Sequence, residues 1–415
     1  MPDIRGAVPL REVGYANAKQ SWWQLGDEEP TPELRWPASI PVYDAMRRQD
    51  AQVTSVLRAV TQPVRRTPWR VEQAGASPEV TRLVADDLGL PLVGEAPTPM
   101  PRTRDRFSWP EHLQAALLML AYGHSYFEQV YRIDDQGRAR LRKLAPRMSR
   151  TIAAVNVAAD GGLESIEQHA PGGASSKTVK IPVARLVAYV HEREGGNWLG
   201  SSLLRPAYKH WLLKDRLLRV QAQTIDRNGM GVPRYTGPEN PEDAVADLDH
   251  GLALAKSWRS GENSGAAIPF GAKLDLVGVE GALPDAGPAI RYHDEQIARA
   301  VLAHFLNLGT QTGSWALGTT FADFFTLSLQ TLAQQVADVA TQHIVEDLVD
   351  VNYGPDEPAP RVVFDEIGSR QVVTAQAIKM LLDSGALFAD KALEEFLRQQ
   401  YGLPPKDFTS PGETQ

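Results

Sequence analysis

The chain has 415 residues, a formal net charge of −8 and no cysteine, so disulfides and cysteine-ligated zinc sites are excluded. With 43% hydrophobic and 23% charged residues, it has the composition of a globular protein long enough for two or three domains. Residues 1–234 carry 32 basic against 25 acidic side chains and residues 235–415 carry 11 against 26, a balance that argues against a tight, static nucleic-acid binder and suits loose contact better. The longest apolar run, LQAALLMLAYG at 113–123, is too short to cross a bilayer, and MPDIRGAVPLREVG has no apolar signal core, so a soluble intracellular product is the expectation.

Residues 1–40, with SWWQLGDEEPTPELRWP, lack periodicity and are expected to form an arm. From Pro41, Tyr43, Met46, Val53, Val56, Leu57 and Val60 recur at helical spacing, and TPWRVEQ then reads as a strand. A short helix is expected over SPEVTRLVADDLGL. Ser108 and Glu111 have the spacing of a capping box, which predicts one buried helix to Gly123. The period then switches to two: HSYFEQVYRID, RLRKLAPRMSRTIAAVNVA, ESIEQHA and TVKIPVARLVAYVHE predict antiparallel strands separated by Asp- and Gly-rich turns.

The stretch GNWLGSSLLRPAYKHWLLKDRLLRVQAQTIDRNGMGVPRYTG predicts a long helix over 201–229, capped by Ser201 or Ser202 and stopped at Gly229. At about 100° per residue, Leu203, Ala207, Trp211, Leu218, Ala222 and Ile225 share an apolar face. Arg205, Lys209, Arg216, Arg219 and Arg227 fall within an arc of about 80° nearly opposite, a cationic stripe. An acidic helical segment and a Gly-rich loop with a strand follow. A second helix over 290–309 presents Ile297, Val301, Phe305 and Leu308, and the polar, Gly-rich GTQTGSWALGTT precedes a helix running to Asn352 and Gly354. The segment from Pro355 is mixed, with a small helical unit.

Catalytic signatures are missing: there is no phosphate-binding loop, dinucleotide fingerprint, zinc-protease helix or nucleophile elbow. His124 and Ser125 are neighbours on a strand, where side chains point to opposite faces, and the HERE sequence at 191–194 reads as a charged turn. No metal, cofactor or catalytic residue is expected.

The order of YDAMRRQDAQVTSVLRAVTQPVRRTPWRVE, LLMLAYGHSYFEQVYRI, the 196–237 stretch, and a GSW-containing loop before a long helix resembles the portal proteins of tailed bacteriophages, in particular Mu-like and actinophage portals, over roughly residues 40–352. The resemblance implies an α+β portal-type fold: an N-terminal arm at 1–40, a mixed α/β wing at 41–200, stem helices at 201–229 and 288–308, and a small α/β clip at 230–287. A tunnel loop at 309–320, a long helix at 321–354 and a small helical crown at 355–415 complete it. It further implies a homo-oligomeric ring, most often dodecameric, at one capsid vertex of the virion. Assembled in the host cytoplasm, such a ring would pass double-stranded DNA non-specifically and dock a large terminase, a head-tail adaptor and a capsid or scaffold protein. Thr310, Gln311, Thr312, Ser314, Trp315, Leu317, Thr319 and Thr320 would then line the channel, and the cationic stripe would face either a neighbouring subunit or DNA. The rival readings are a minor head or adaptor protein that never encircles DNA, and, further off, a hydrolase.

Overall fold

The computed structural model describes residues 29–95, 107–170, 177–228, 232–240, 242–257, 267–277, 285–301 and 315–368. Residues 1–28 of the arm, the first half of the expected tunnel loop (309–314) and residues 369–415 lie outside the described residues, as do Phe305 and Leu308. The chain divides into two compact units: Pro206–Asn307 forms one, inserted into the other, which comprises Met1–Arg205 and Leu308–Gln415.

The larger unit opens with helices α1 (Ser39–Gln49) and α2 (Ala51–Arg66). They are separated at Asp50, whose carboxylate accepts hydrogen bonds from the Gln52 and Val53 amides and so caps α2. Val53, Val56, Val60 and Val64 of α2 are buried at helical spacing. Strand β1 (Trp69–Glu72) pairs antiparallel with β10 (Arg361–Phe364), bringing distant parts of the sequence together. Helix α3 (Pro78–Leu88) is capped by Ser77 and closed by Gly89 at φ 64°, a left-handed geometry that glycine adopts without strain.

Where one helix was expected before the strands, there are two, α4 (Trp109–Ala116) and α5 (Met119–Tyr122). Ser108 occupies the N-cap position of α4, but its hydroxyl makes no capping bond, so the expected box does not form. Two three-stranded antiparallel sheets follow. The first has the order β3 (Ala139–Arg147), β2 (His124–Ile133), β7 (Leu186–Val190); the second runs β4 (Ile152–Val157), β5 (Leu163–His169), β6 (Thr178–Pro182). Tyr126, Ile152, Leu163, Ile166, Ile181 and Leu186 bring both sheets into one core cluster, against which Trp36 and Trp198 pack.

The late helix α9 (Trp315–Ala340) continues through a π-helical turn at Thr341–Val345 into α10 (Glu346–Tyr353). The extra residue of a π-turn disturbs the helical hydrogen-bond ladder. Here the turn bonds to groups outside it: the Gln129 side chain donates to the His343 carbonyl at 2.6 Å, and the turn's own Thr341 hydroxyl accepts from the Val362 backbone amide. The loop expected to last to 320 is corrected at its end, because Trp315, Leu317, Thr319 and Thr320 lie in the first turns of α9. WALGTT contains no proline, and its one interior glycine costs only about 1 kcal/mol, too little to stop a helix that continues for twenty residues more.

The inserted unit contains α6 (Tyr208–Asn228), β8 (Val232–Thr236), α7 (Ala244–Ser257), β9 (Lys273–Val277) and α8 (Gly287–Arg299). α6 packs on α8, and β8 and β9 form an antiparallel pair against which α7 rests. Gly251 lets α7 approach that pair: a Cβ there would overlap the Tyr235 ring, whose hydroxyl donates to Asp247 at 2.8 Å.

Candidate functional site

The helix expected from Ser201 begins instead at Tyr208, and the residues before it do a different job. Proline at 206 disfavours helical geometry at residue 205. The Ser202 hydroxyl donates to the Ala121 carbonyl at 2.6 Å and accepts from the Leu204 amide, while the Leu203 amide donates to the Leu120 carbonyl. Gly200 (φ 65°) lies so near the Gly123 and His191 carbonyls that a Cβ could not fit. Residues 200–204 are thereby stitched to the end of α5 and the turn after it.

Arg205 completes this anchor. Its guanidinium straddles the Glu29 carboxylate, with Nη2 donating to Oε1 at 2.9 Å and Nε to Oε2. Burial raises the Glu29 pKa, but the hydrogen bonds from Arg205 and Thr31, with the Arg205 charge, together outweigh it and hold the carboxyl below its ordinary value. Arg205 therefore does not belong to a helical stripe: it sits in the turn before α6 and pairs within its own chain.

On α6, the less exposed residues are Tyr208, His210, Trp211, Lys214, Asp215, Leu217, Gln221 and Thr224, of which His210, Lys214, Leu217, Gln221 and Thr224 form one stripe at helical spacing. That stripe lies about 70° around the helix from the face the sequence predicted. The reason is polar. His210 Nδ1 meets His293 Nδ1 of α8 at 3.0 Å, and Lys214, only 7% exposed, places Nζ 2.6 Å from Asp294 Oδ1. An ion pair this far from water strongly resists removal of either partner. Of the expected apolar face, Ala207 is buried, but Leu218 and Ile225 are 43% and 62% exposed. Leu213 and Val220 are exposed on the other flank of the His–Lys stripe, and Leu212 is exposed on the opposite side of the helix.

The remaining cations are unequal. Arg219 pairs with Asp215 one turn back at 2.8 Å, an exposed pair that water and salt screen. Lys209 and Arg216 are exposed, and among the described residues neither makes an ion pair. Arg227 lies in the last turn of α6, with its side chain outside the described set. Of the expected channel residues, Thr310, Gln311, Thr312 and Ser314 lie outside the described residues, and Trp315, Leu317, Thr319 and Thr320 are placed by their helical backbone alone.

Neither histidine motif assembles chemistry. His124 is buried with Nδ1 donating to the Leu199 carbonyl at 3.0 Å, and burial lowers its pKa to about 4. The Ser125 hydroxyl donates to the Ala115 carbonyl instead. His191 Nδ1 bonds the Ser201 carbonyl. Among the described residues, no group of three potential ligands could hold a metal ion, and no helix is long and apolar enough to cross a membrane.

Comparison with known proteins then decides the family. A model described as the portal protein of Mu bacteriophage matches residues 40–403. The chain belongs to this portal family. The family is structural rather than enzymatic, and its mixed α+β fold recurs in solved particles. The neck of an empty gene transfer agent particle, computed with C6 symmetry, is similar with a TM-score of 0.59 at 13% identity, covering 89% of this chain and 94% of that one. A neck of the native particle, computed with C12 symmetry, gives a TM-score of 0.56 at 14% identity over 88% and 93%. An HK97-family portal protein from Corynebacterium diphtheriae has 15% identity over 76% of this chain and 93% of its own, with a TM-score of 0.43.

Proposed function

We propose that this portal-family chain is the subunit of a closed ring at one capsid vertex, through which genomic DNA is packaged and later ejected, and on which a large terminase and a head-tail adaptor dock. The observation that carries the reading is the helix pair of the inserted unit. Leu212, Leu213, Leu218, Val220 and Ile225 are each about half exposed on α6, and covering what remains in water would contribute on the order of 1 kcal/mol apiece. Identical copies related by rotation supply a cover that is self-limiting, because a heterologous contact that closes leaves no copy with the face bare. The necks with C6 and C12 symmetry support the same reading, as does family membership.

In this assignment α6 and α8 are the stem, the β8–α7–β9 group is the clip, and the larger unit supplies wing and crown. The acidic balance of residues 235–415 falls on the clip and beyond, where the motor and adaptor would dock. With Arg205 and Arg219 paired at home, Lys209 and Arg216 remain for a neighbour's carboxylates, the favoured partner, since rings of unpaired cations in the lumen would retard DNA. Residues 310–314, with the first turns of α9, would narrow the channel, and Trp315 would set its aperture against the next copy.

Negative-stain images of the purified protein test the reading. Rings with a central hole support it; discrete particles of subunit size at every concentration would favour a minor head or adaptor protein that does not encircle DNA.

A further inference from the structure

The polar contact between α6 and α8 has a chemistry that neither ring formation nor DNA passage requires. His210 and His293 meet Nδ1 to Nδ1 at 3.0 Å, with ring centroids 5.3 Å apart, and the Tyr292 ring stands edge-on to both imidazoles. Two nitrogens of the same kind at that distance share a single proton. One Nδ1–H donates, and the other Nδ1 offers its lone pair. We propose that the His210–His293 pair is a proton-operated latch between α6 and α8, closed while the two facing nitrogens hold one proton between them and forced open when both carry one.

The proton balance explains the sharpness of such a latch. A first proton from solvent goes to Nε2 of the donating ring, and the Nδ1–H···Nδ1 bond survives as a charge-assisted one. A second proton has only the accepting Nδ1 lone pair within the pair to occupy. Its arrival sets two N–H groups and two positive charges against each other at hydrogen-bond distance. The second proton therefore breaks the contact that the first leaves intact.

The surroundings bias the pair in the same direction. On α6, Lys209 adds positive charge next to His210, and Lys214 lies one turn further along. On α8, the Asp294 carboxylate is engaged by Lys214 rather than by either imidazole. Burial, followed by the repulsion of His293 and Lys209, holds His210 below the ordinary imidazole pKa. The contact is thus a neutral or singly charged bridge near neutrality. The Lys214–Asp294 pair still joins the helices when it opens, so the motion is a splaying about that pair rather than a separation.

The latch itself is a property of one chain; that its opening would widen a stem repeated around a ring rests on the reading above. The absence of native cysteines makes a direct measurement available. Cysteines replacing the exposed Gln223 of α6 and Ala289 of α8 would carry spin labels, in full-length protein diluted with excess unlabelled subunit so that only distances within a chain are read. Taking the sample from about pH 7.5 to about pH 5 should shift the distance distribution reversibly, and the step should vanish in His293→Gln, which leaves Lys214 and Asp294 in place. An unchanged distribution across that range would overturn the latch. So would a step that persists in His293→Gln, which would assign it to other groups. Oligomer size recorded on the same samples separates failure of the latch from failure of the ring.

Discussion

His112 and His124 are fully buried imidazoles of the larger unit, with their pKa values lowered by burial to about 3 and about 4. His112 bonds the Tyr189 hydroxyl and His124 the Leu199 carbonyl, so each is held neutral inside the core. Since the unfolded chain would titrate near 6.5, it binds protons before the native state does. The stability these residues contribute is therefore complete above about pH 6.5 and lost as pH falls through that value. At about pH 5.5 the loss is on the order of 1 kcal/mol for each. Asp87 and Asp347, raised by burial, act in the opposite sense but nearer the carboxylate range. Melting temperature should thus fall between about pH 7.5 and about pH 5.5, and His124→Asn should flatten the slope; a pH-independent melt would contradict the assignment. A second change acts through space alone. Gly251→Ala drives a methyl into the Tyr235 ring and should cost about 1–3 kcal/mol, read as faster proteolysis of residues 206–307 with the larger unit still resistant. Neither effect was visible in the sequence, because a lone histidine or glycine does not disclose what lies against it.

At the scale of elements, periodicity was most informative where one face meets one partner. The α2 valines, the alternating strands of the two sheets and the late amphipathic helix all follow from spacing, because each buries a single apolar stripe. α6 departs from the pattern for a physical reason. Its contact with α8 is made by His210 and Lys214, and a buried polar pair is invisible to a hydrophobicity wheel; the HD at 293–294 was the only written signal. The helix start moved for another reason: Ser202 bonds the end of α5 instead of capping. The leucines left outside give the test at this scale. Leu218→Asp with Ile225→Asp should leave the far-UV melt of the isolated chain nearly unchanged, since both are exposed there, yet disperse any assembly. If the double variant assembles normally, the face is not a subunit contact. Reversing Lys209 and Arg216 to Glu separates the two fates of the cationic stripe. Weakened assembly places it against a neighbour's acids, whereas intact assembly with altered DNA retention places it in the channel.

Over the whole molecule, the order of elements carries the resemblance to the portal family, and the model match over 40–403 shows that the chain belongs to it. The inserted unit could not be read as a self-contained piece, because its boundaries fall inside apparently continuous helical sequence at Pro206 and Asn307. A unit built of three helices and a two-stranded sheet, with five large apolar side chains of one helix exposed, presents a surface that a ring of copies would cover. Mass photometry of the purified full-length protein across a range of concentrations tests that conclusion most directly. The expected result is a discrete closed species at a high multiple of 45.6 kDa, with no ladder of larger assemblies beyond it. A lone 45.6 kDa species at every concentration would contradict the ring.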